Sequence, residues 1–410
     1  MREKYGAFHA AVHMLYECET LQLAADEDAP SVDPSVFDAV ADLIFKAGGF
    51  DINQVKDPAA RKLMRETANA INRGVDAHLP TDVPDTLRYA LEENGFIFSG
   101  FKTFHAMREI GLSLVNDKGE IKSYSDFQAD VLKLNAKYNT NYLYAEYKHA
   151  IGTCQMAAKW QKIEADGDRY LLQYRTAQDE RVREDHALMD GITLPPSDPF
   201  WDKYYPPNGW GCRCTAVQVR RGKYTESDPA QAMMLGDNST AAAKQQIFRF
   251  NAGKTMQLFP PKHPYYKAPE NSRKVIEKTV SNEYGKQQAN ELTTWYKENL
   301  PETKVGKFKA KRFSVEMPDG QLILVNKNFY NECISHYADD ELYVPRLVYA
   351  RMAHLMLPKS KLIRQEPSKD HNDATFDVYQ FNGDSKYIIE LKVKCNADGM
   401  FLHYMRLYKK

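Results

Sequence analysis

Two cysteines separated by one arginine, Cys212-Arg213-Cys214, follow the turn-forming run Pro206-Pro207-Asn208-Gly209-Trp210-Gly211 and precede an apolar–polar alternation that ends at Val219. Residues two apart on an extended strand share a face, so both thiols would turn toward one neighbour. Thiols placed in this way suit three roles: half of a soft-metal site, a redox or nucleophilic pair acting through a thiolate, or small buried apolar groups with no chemistry. An ordered set of residues precedes them: Arg175, Asp179, Val182, Arg183, His186 and Gly191. Were Cys212 a nucleophile, His186 and Asp179 would complete a Cys/His/Asp triad. No residue pattern marks Cys212 as activated.

The elements that must position these residues are partly legible. The chain has 410 residues, 43% hydrophobic and 12% aromatic, with a formal net charge of +0. That length predicts two or three domains, and the neutral balance argues against a globally basic nucleic-acid coat. No apolar run approaches the ~18 residues of a membrane span, and no secretory leader is recognisable at the start. Six scattered cysteines point to a reducing cytoplasm, so a soluble intracellular protein is expected. The first third reads as helix. Asp33 is placed to cap a helix that begins at Pro34, carries Val36, Phe37, Val40, Leu43 and Ile44, and ends at Gly48-Gly49. Further helices are expected over 58–78, 84–109 and 144–165, and His9, His13, His78, His105 and His149 fall among them without ligand spacing. Strands are expected over 170–176 and 214–219, with a proline-rich loop between them. A second Pro/Tyr-rich loop at 259–266 leads into a polar helix from about residue 272.

The set Arg175, Asp179, Val182, Arg183, His186, Gly191, Trp210, Cys212 and Cys214, with its Asp-Glu-Arg-Val-Arg and Gly-Trp-Gly-Cys-Arg-Cys motifs, resembles the core of the phage Mu F-like head morphogenesis family. These are minor capsid proteins that accompany the portal. The likeness covers roughly residues 120–265, including the loop at 259–266. It implies a virion component acting in procapsid assembly, with the portal and other head proteins as partners, no cofactor and no membrane. Many members carry two cysteines after Asp-Glu-Arg-Val and a histidine before Cys-Arg-Cys. Here Arg183 and His186 stand at the cysteine positions and Gly209 near the histidine position. Only His186, Cys212 and Cys214 are then left as soft donors, one short of a closed zinc site, so no bound metal is expected. A structural cluster is expected instead, with Arg175 paired to Asp179, His186 capping the Trp210 turn and the thiols buried.

The last hundred residues differ in texture. Residues 302–410 hold 18 lysines and arginines against 14 aspartates and glutamates, a local excess of four positive charges. Pro318-Asp319-Gly320 separates two expected strands, 312–317 and 321–326, a hairpin signal. Helices follow, with His336 and His354 on them, and three strands over 375–381, 386–394 and 400–408 close the chain. This order is similar to the phage-associated branch of the barnase/EndoU/colicin/RelE nucleases, with 331–336 and 356–358 the pieces most like it. The likeness implies a metal-independent ribonuclease effector in host cytoplasm, with RNA or DNA as target and an immunity protein as partner. A two-residue turn at Gly383-Asp384 would pair Val378 with Ile389 and Phe376 with Leu391. Phe401, Met405 and Leu407 would then lie against Val393, Ile389 and Tyr387, with His403 on the same apolar face. Tyr379, Glu390, Lys392, Lys394, Tyr404 and Arg406 would occupy the other face. There Lys392 and Arg406 could bind phosphate and stabilise its charge, and Tyr404 or His371 could assist proton transfer. The alternative is a solvated face with Glu390 salt-bridged to a cation across the strands, giving a catalytically inactive module that binds nucleic acid or a capsid partner. The expected architecture is thus α+β multidomain: a helical region over 1–119, a small α/β Mu F-like core over 120–267, a helical linker over 268–301, and an α+β nuclease-like domain of helices plus antiparallel sheet over 302–410.

Overall fold

The computed structural model describes residues 2–16, 29–305, 308–335, 342–368, 374–383 and 387–410. Cys18, His336 and His371 lie outside them. The chain divides into two compact units, Met1–Val280 and Ser281–Lys410.

The first unit is built on long helices: α1 (Arg2–Tyr16), α2 (Pro34–Lys46), α3 (Pro58–His78), α4 (Asp85–Ser113), α5 (Tyr124–Asn135) and α6 (Leu143–Asp166). Local chemistry sets their starts. Asp33 accepts from the Ser35 amide at 2.9 Å with Pro34 in the first turn, and Asp57 and Pro58 repeat this arrangement at α3. A carboxylate at the cap satisfies an amide that has no helical partner, and proline there gives up a hydrogen bond it could not have made. The helices bury their apolar stripes, among them Val36, Phe37, Val40 and Ile44 of α2 and Leu63, Met64 and Ile71 of α3.

Beyond α6 a three-stranded antiparallel sheet forms in the order β2-β1-β3, from β1 (Tyr170–Arg175), β2 (Thr193–Leu194) and β3 (Thr215–Arg220). Tyr174 lies opposite Ala216, and Leu172 between Leu194 and Gln218. The two expected strands are present, and β2 adds a short edge strand that the sequence pattern does not mark. Short helices α7 (Glu184–Ala187), α8 (Phe200–Tyr204), α9 (Pro229–Ser239), α10 (Ala243–Gln246) and α11 (Ala252–Thr255) surround the sheet. Its core joins Trp160 and Ile163 of α6 to Leu172, Tyr174, Trp201 and Tyr205. α11 lies so close to α6 that a Cβ at Gly253 would stand 2.1 Å from Cβ of Trp160, so only glycine fits there.

Inside the helical layer is a buried ion pair. Lys102 Nζ of α4 and a Glu146 carboxylate oxygen of α6 are 2.5 Å apart, and the Tyr16 hydroxyl donates to the other Glu146 oxygen at 2.8 Å. Burial pushes the Glu146 carboxyl up and the Lys102 amine down, and the attraction between them opposes both shifts. Around this pair the loop at 259–266 folds back onto the helices. Phe259 stacks on Phe98 with centroids 3.7 Å apart, and Tyr265 stacks on His105 at 5.7 Å. His105 Nε2 donates to the Tyr265 carbonyl at 2.8 Å. Burial lowers His105 to about 3 and His9 and His149 to about 4, so these rings are neutral packing groups, as expected for them.

α12 (Glu270–Asn299) contains the boundary between the units. In the second unit the strands are β4 (Glu302–Val305), β5 (Phe308–Glu316), β6 (Leu322–Asn326), β7 (Lys361–Pro367), β8 (Thr375–Phe381), β9 (Tyr387–Asn396) and β10 (Gly399–Lys409), with α13 (Lys327–Ser335), α14 (Tyr343–Ala350) and α15 (Ala353–Met356) between β6 and β7. They form one sheet ordered β4-β5-β6-β10-β9-β8-β7. Every described pairing is antiparallel except β6 with β10. The hairpin at Met317–Gln321 closes as expected, with Gly320 at φ +82°. The expected α+β architecture is present.

The register differs from the expected one. Phe381 faces Ile389, Tyr379 faces Leu391 and Val378 faces Lys392, a shift of three residues from the pairing predicted by a two-residue turn. An odd shift exchanges faces. Tyr379 is therefore buried with Ile389, Leu391 and Val393, while Val378 lies under Lys392. The sequence of β8 is apolar at both parities, so alternation could not select the register. In β10 the pairing shifts between Leu402 and Tyr404. Leu402 then opposes Val393, Met405 opposes Leu391, and His403 packs against Phe376 at 5.4 Å instead of entering the core.

Loss of one partner of the buried pair leaves an uncompensated charge away from water. Glu146→Ala is expected to destabilise the first unit by ~3–5 kcal/mol, and Lys102→Met with Glu146→Leu by far less. Urea unfolding of both variants checks this.

Candidate functional site

The Cys212-Arg213-Cys214 segment leads into β3, and His186 lies on α7 in the loop that leaves β1. Three interactions hold these segments together. Asp179 accepts two hydrogen bonds from the Arg213 guanidinium, at 2.5 and 2.6 Å. Arg183 donates to the Trp210 carbonyl, and its guanidinium would stand 2.8 Å from a Cβ at position 209, where Gly209 leaves room. Asp190 accepts from the Thr176 amide at 2.8 Å and from its hydroxyl at 3.0 Å. Gly191 then turns the chain at φ +81° and donates to the Tyr174 carbonyl, a backbone conformation open to glycine at no steric cost.

These clamps bring His186 to the two thiols. Its Nδ1 is 3.6 Å from Sγ of Cys212 and 3.6 Å from Sγ of Cys214, and the ring is buried. Hydrogen bonding from Cys214, and then from His186, holds the Cys212 thiol well below the usual cysteine range, while its share in the same bond pushes Cys214 up. Of the two thiols, Cys212 is therefore the more acidic. Behind it, Trp210 stacks on Tyr16 at 5.0 Å and meets His149 edge-on at 5.0 Å. In front is a cavity of about 850 Å³ lined by both thiols, with Lys148, Lys159, Arg181, Arg183 and Arg213 around it and, among the described residues, no aspartate or glutamate in its wall.

Two expected contacts are replaced. Arg175 bonds to Gln173 and the Tyr224 hydroxyl, not to Asp179, because Asp179 is taken by Arg213. His186 does not cap the Trp210 turn; Arg183 does this, and His186 faces the thiols. Asp190 and Asn208, which accepts from the Tyr174 hydroxyl at 3.0 Å, were missed because short polar residues in a Pro/Gly-rich loop carry no distinguishing pattern.

The second candidate set lies on the sheet of the second unit. Lys392 is opposite Tyr404 and Arg406 is opposite Glu390, so the three residues share a face, and His371 lies outside the described residues. Lys392 Nζ is 2.8 Å from Glu366 and 4.5 Å above the Phe376 ring. Glu366 also meets Arg364, which makes two bonds to Glu390 at 2.8 and 2.9 Å. Lys392, then Arg364, holds Glu366 down at about 2. This strand edge is a lattice of alternating charges.

Residues 119–217, which carry the whole cluster of clamps and thiols, match the family described as "Phage Mu protein F like protein". Among curated relatives, the chain is 27% identical over 179 residues to the "Mu-like prophage FluMu F protein" of Haemophilus influenzae, covering 41% of each chain. It is 31% identical over 92 residues to the "Putative capsid assembly protein F" of Escherichia phage Mu, covering 22% of this chain and 18% of that one. The chain thus spans well under half the length of the curated relatives it matches. No solved structure matches.

Thiolate character predicts selective alkylation. In chelator-treated protein at neutral pH, iodoacetamide is expected to label Cys212 well before Cys154 and Cys333, whose thiols burial pushes up to about 12. Peptide mapping by mass spectrometry reads the order, and equal labelling would contradict the lowered pKa of Cys212.

Proposed function

We propose that this chain is a head-assembly component of a phage or prophage, a minor capsid protein that works beside the portal and remains in the virion. The observation that carries this reading is the match over residues 119–217, together with a relative whose name describes capsid assembly. The matched residues do structural work. Asp179–Arg213, Arg183–Trp210 and the Trp210–Tyr16 stack tie a loop-rich segment to the helices behind it, as suits a rigid docking module. Portal and other head proteins are its proposed partners. No helix among the described residues is long and apolar enough to cross a membrane.

For the second unit, a ribonuclease effector would need Lys392 available to a phosphate. Its engagement by Glu366 and by the Phe376 ring favours the other reading, a module that binds a capsid partner or nucleic acid without cleaving it. In that case a host target and an immunity protein are not required.

Two measurements test these readings. Mass spectrometry of purified particles and procapsids is expected to find the protein, and its absence from both would refute the head role. Full-length protein in EDTA is expected to leave RNA intact, and Lys392→Ala to cost no more than about 1 kcal/mol of stability, a loss that added salt diminishes. RNA cleavage that falls ~10²–10³-fold in Lys392→Ala would instead establish the effector, since that is what one charge-stabilising group contributes.

A further inference from the structure

We propose that His186, Cys212 and Cys214 form a binding site for one zinc-class ion, with three protein ligands and a fourth position open to the cationic cavity. The evidence is the shape of the donor triangle. A tetrahedral ion with metal–sulfur bonds of about 2.3 Å and metal–nitrogen bonds of about 2.0–2.1 Å sets sulfur and nitrogen about 3.5 Å apart. Both sulfurs stand 3.6 Å from the same nitrogen, His186 Nδ1, and all three donor atoms lie within 4.8 Å of one another. Hydrogen bonding alone accounts poorly for this symmetry. A neutral ring nitrogen carries either one proton or one lone pair, so it can serve one thiol well but not two equally.

The triangle is also rigidly held. The thiols are two residues apart on one short segment, and the Arg183–Trp210 and Asp179–Arg213 clamps lock that segment to the loop bearing His186. Preassembled donors spare the ion the cost of gathering its ligands. Two sulfurs and an imidazole select zinc and its tetrahedral analogues over magnesium or calcium, which prefer oxygen. Two thiolates and a neutral ring would balance the charge of a divalent ion.

Three donors are too few for a closed structural site, and for that reason the sequence predicts no bound metal. Three donors are, however, the number found where one position stays open. His186, Cys212 and Cys214 all line the cavity, so the open position faces it. Lys148, Lys159, Arg181 and Arg183, with no carboxylate among the described residues of the wall, make water or a small anion the fitting fourth ligand. Binding the ion releases protons from the thiols to solvent, so affinity falls as pH falls.

The test uses reduced, chelator-stripped, full-length protein titrated with cobalt(II). One equivalent is expected to bind, giving a sulfur-to-cobalt charge-transfer band in the near ultraviolet and tetrahedral bands in the visible. Zinc should displace it stoichiometrically. Cys212→Ser, Cys214→Ser and His186→Ala should each weaken binding by more than the roughly 10–100-fold that loss of an outer-shell partner costs; Cys333→Ser should bind as the parent does. Circular dichroism identifies any variant that has not folded, and the parent spectrum remains decisive in that case. Added inorganic phosphate or 2-mercaptoethanol should perturb the visible bands of the cobalt protein. Absence of the charge-transfer band in the parent, or its survival in a folded Cys212→Ser variant, would overturn the site. Visible bands indifferent to both additives would overturn the open fourth position.

Discussion

A lysine and a glutamate withdrawn from water hold each other between α4 and α6, and much of the first unit is arranged around that fact. Neither charge is tolerable alone in such surroundings, so the two helices can pack only in the register that makes Lys102 meet Glu146. The second oxygen of Glu146 then fixes Tyr16 at the end of α1. Tyr16 presents one ring to Tyr142 and to Trp210, and Trp210 is the residue whose carbonyl Arg183 grips. The position of the thiol cluster is thus traceable, contact by contact, to an electrostatic requirement in the helical layer.

The two units treat positive charge in different ways. Around the cavity of the first, several lysines and arginines converge, and Asp179 meets Arg213 from outside the described wall, so field lines from several sources overlap there. On the sheet of the second, Lys392 meets Glu366 and Arg364 meets Glu390. A local excess of positive residues is therefore a poor guide to where an anion would bind. What matters is whether strand or loop geometry has already delivered a counter-charge.

Sequence reading succeeded where one residue decides one local outcome. Asp33 with Pro34 marks a helix start because a cap and a ring-locked torsion act within three residues, and Pro318-Asp319-Gly320 marks a hairpin for a similar reason. It failed where the outcome depended on distant partners. β7 is exposed along most of its length, so no alternation announces it, and its Arg364 and Glu366 find meaning only beside β8 and β9. The parity of β8 was undecidable from Phe376, Val378, Tyr379 and Phe381 alone. Arg213 outcompetes Arg175 for Asp179 because of where β3 enters, which spacing along the chain does not encode. The thiol pair was legible as a shared face; its distance from His186 was not.

The parallel contact between β6 and β10 has a consequence for how the second unit is built. β4, β5 and β6 form one ribbon and β7, β8 and β9 another, and β10 alone stitches them into a sheet. Since β10 follows the other six in sequence, both ribbons must wait with an unpaired edge until Gly399–Lys409 becomes available. Assembly of this unit is therefore a late, long-range event with a high contact order. A chain interrupted before residue 399 would display two open strand edges of the kind that recruit other chains. The strand that completes the sheet also covers two of the ribbons' four edges, leaving only β4 and β7 at its borders.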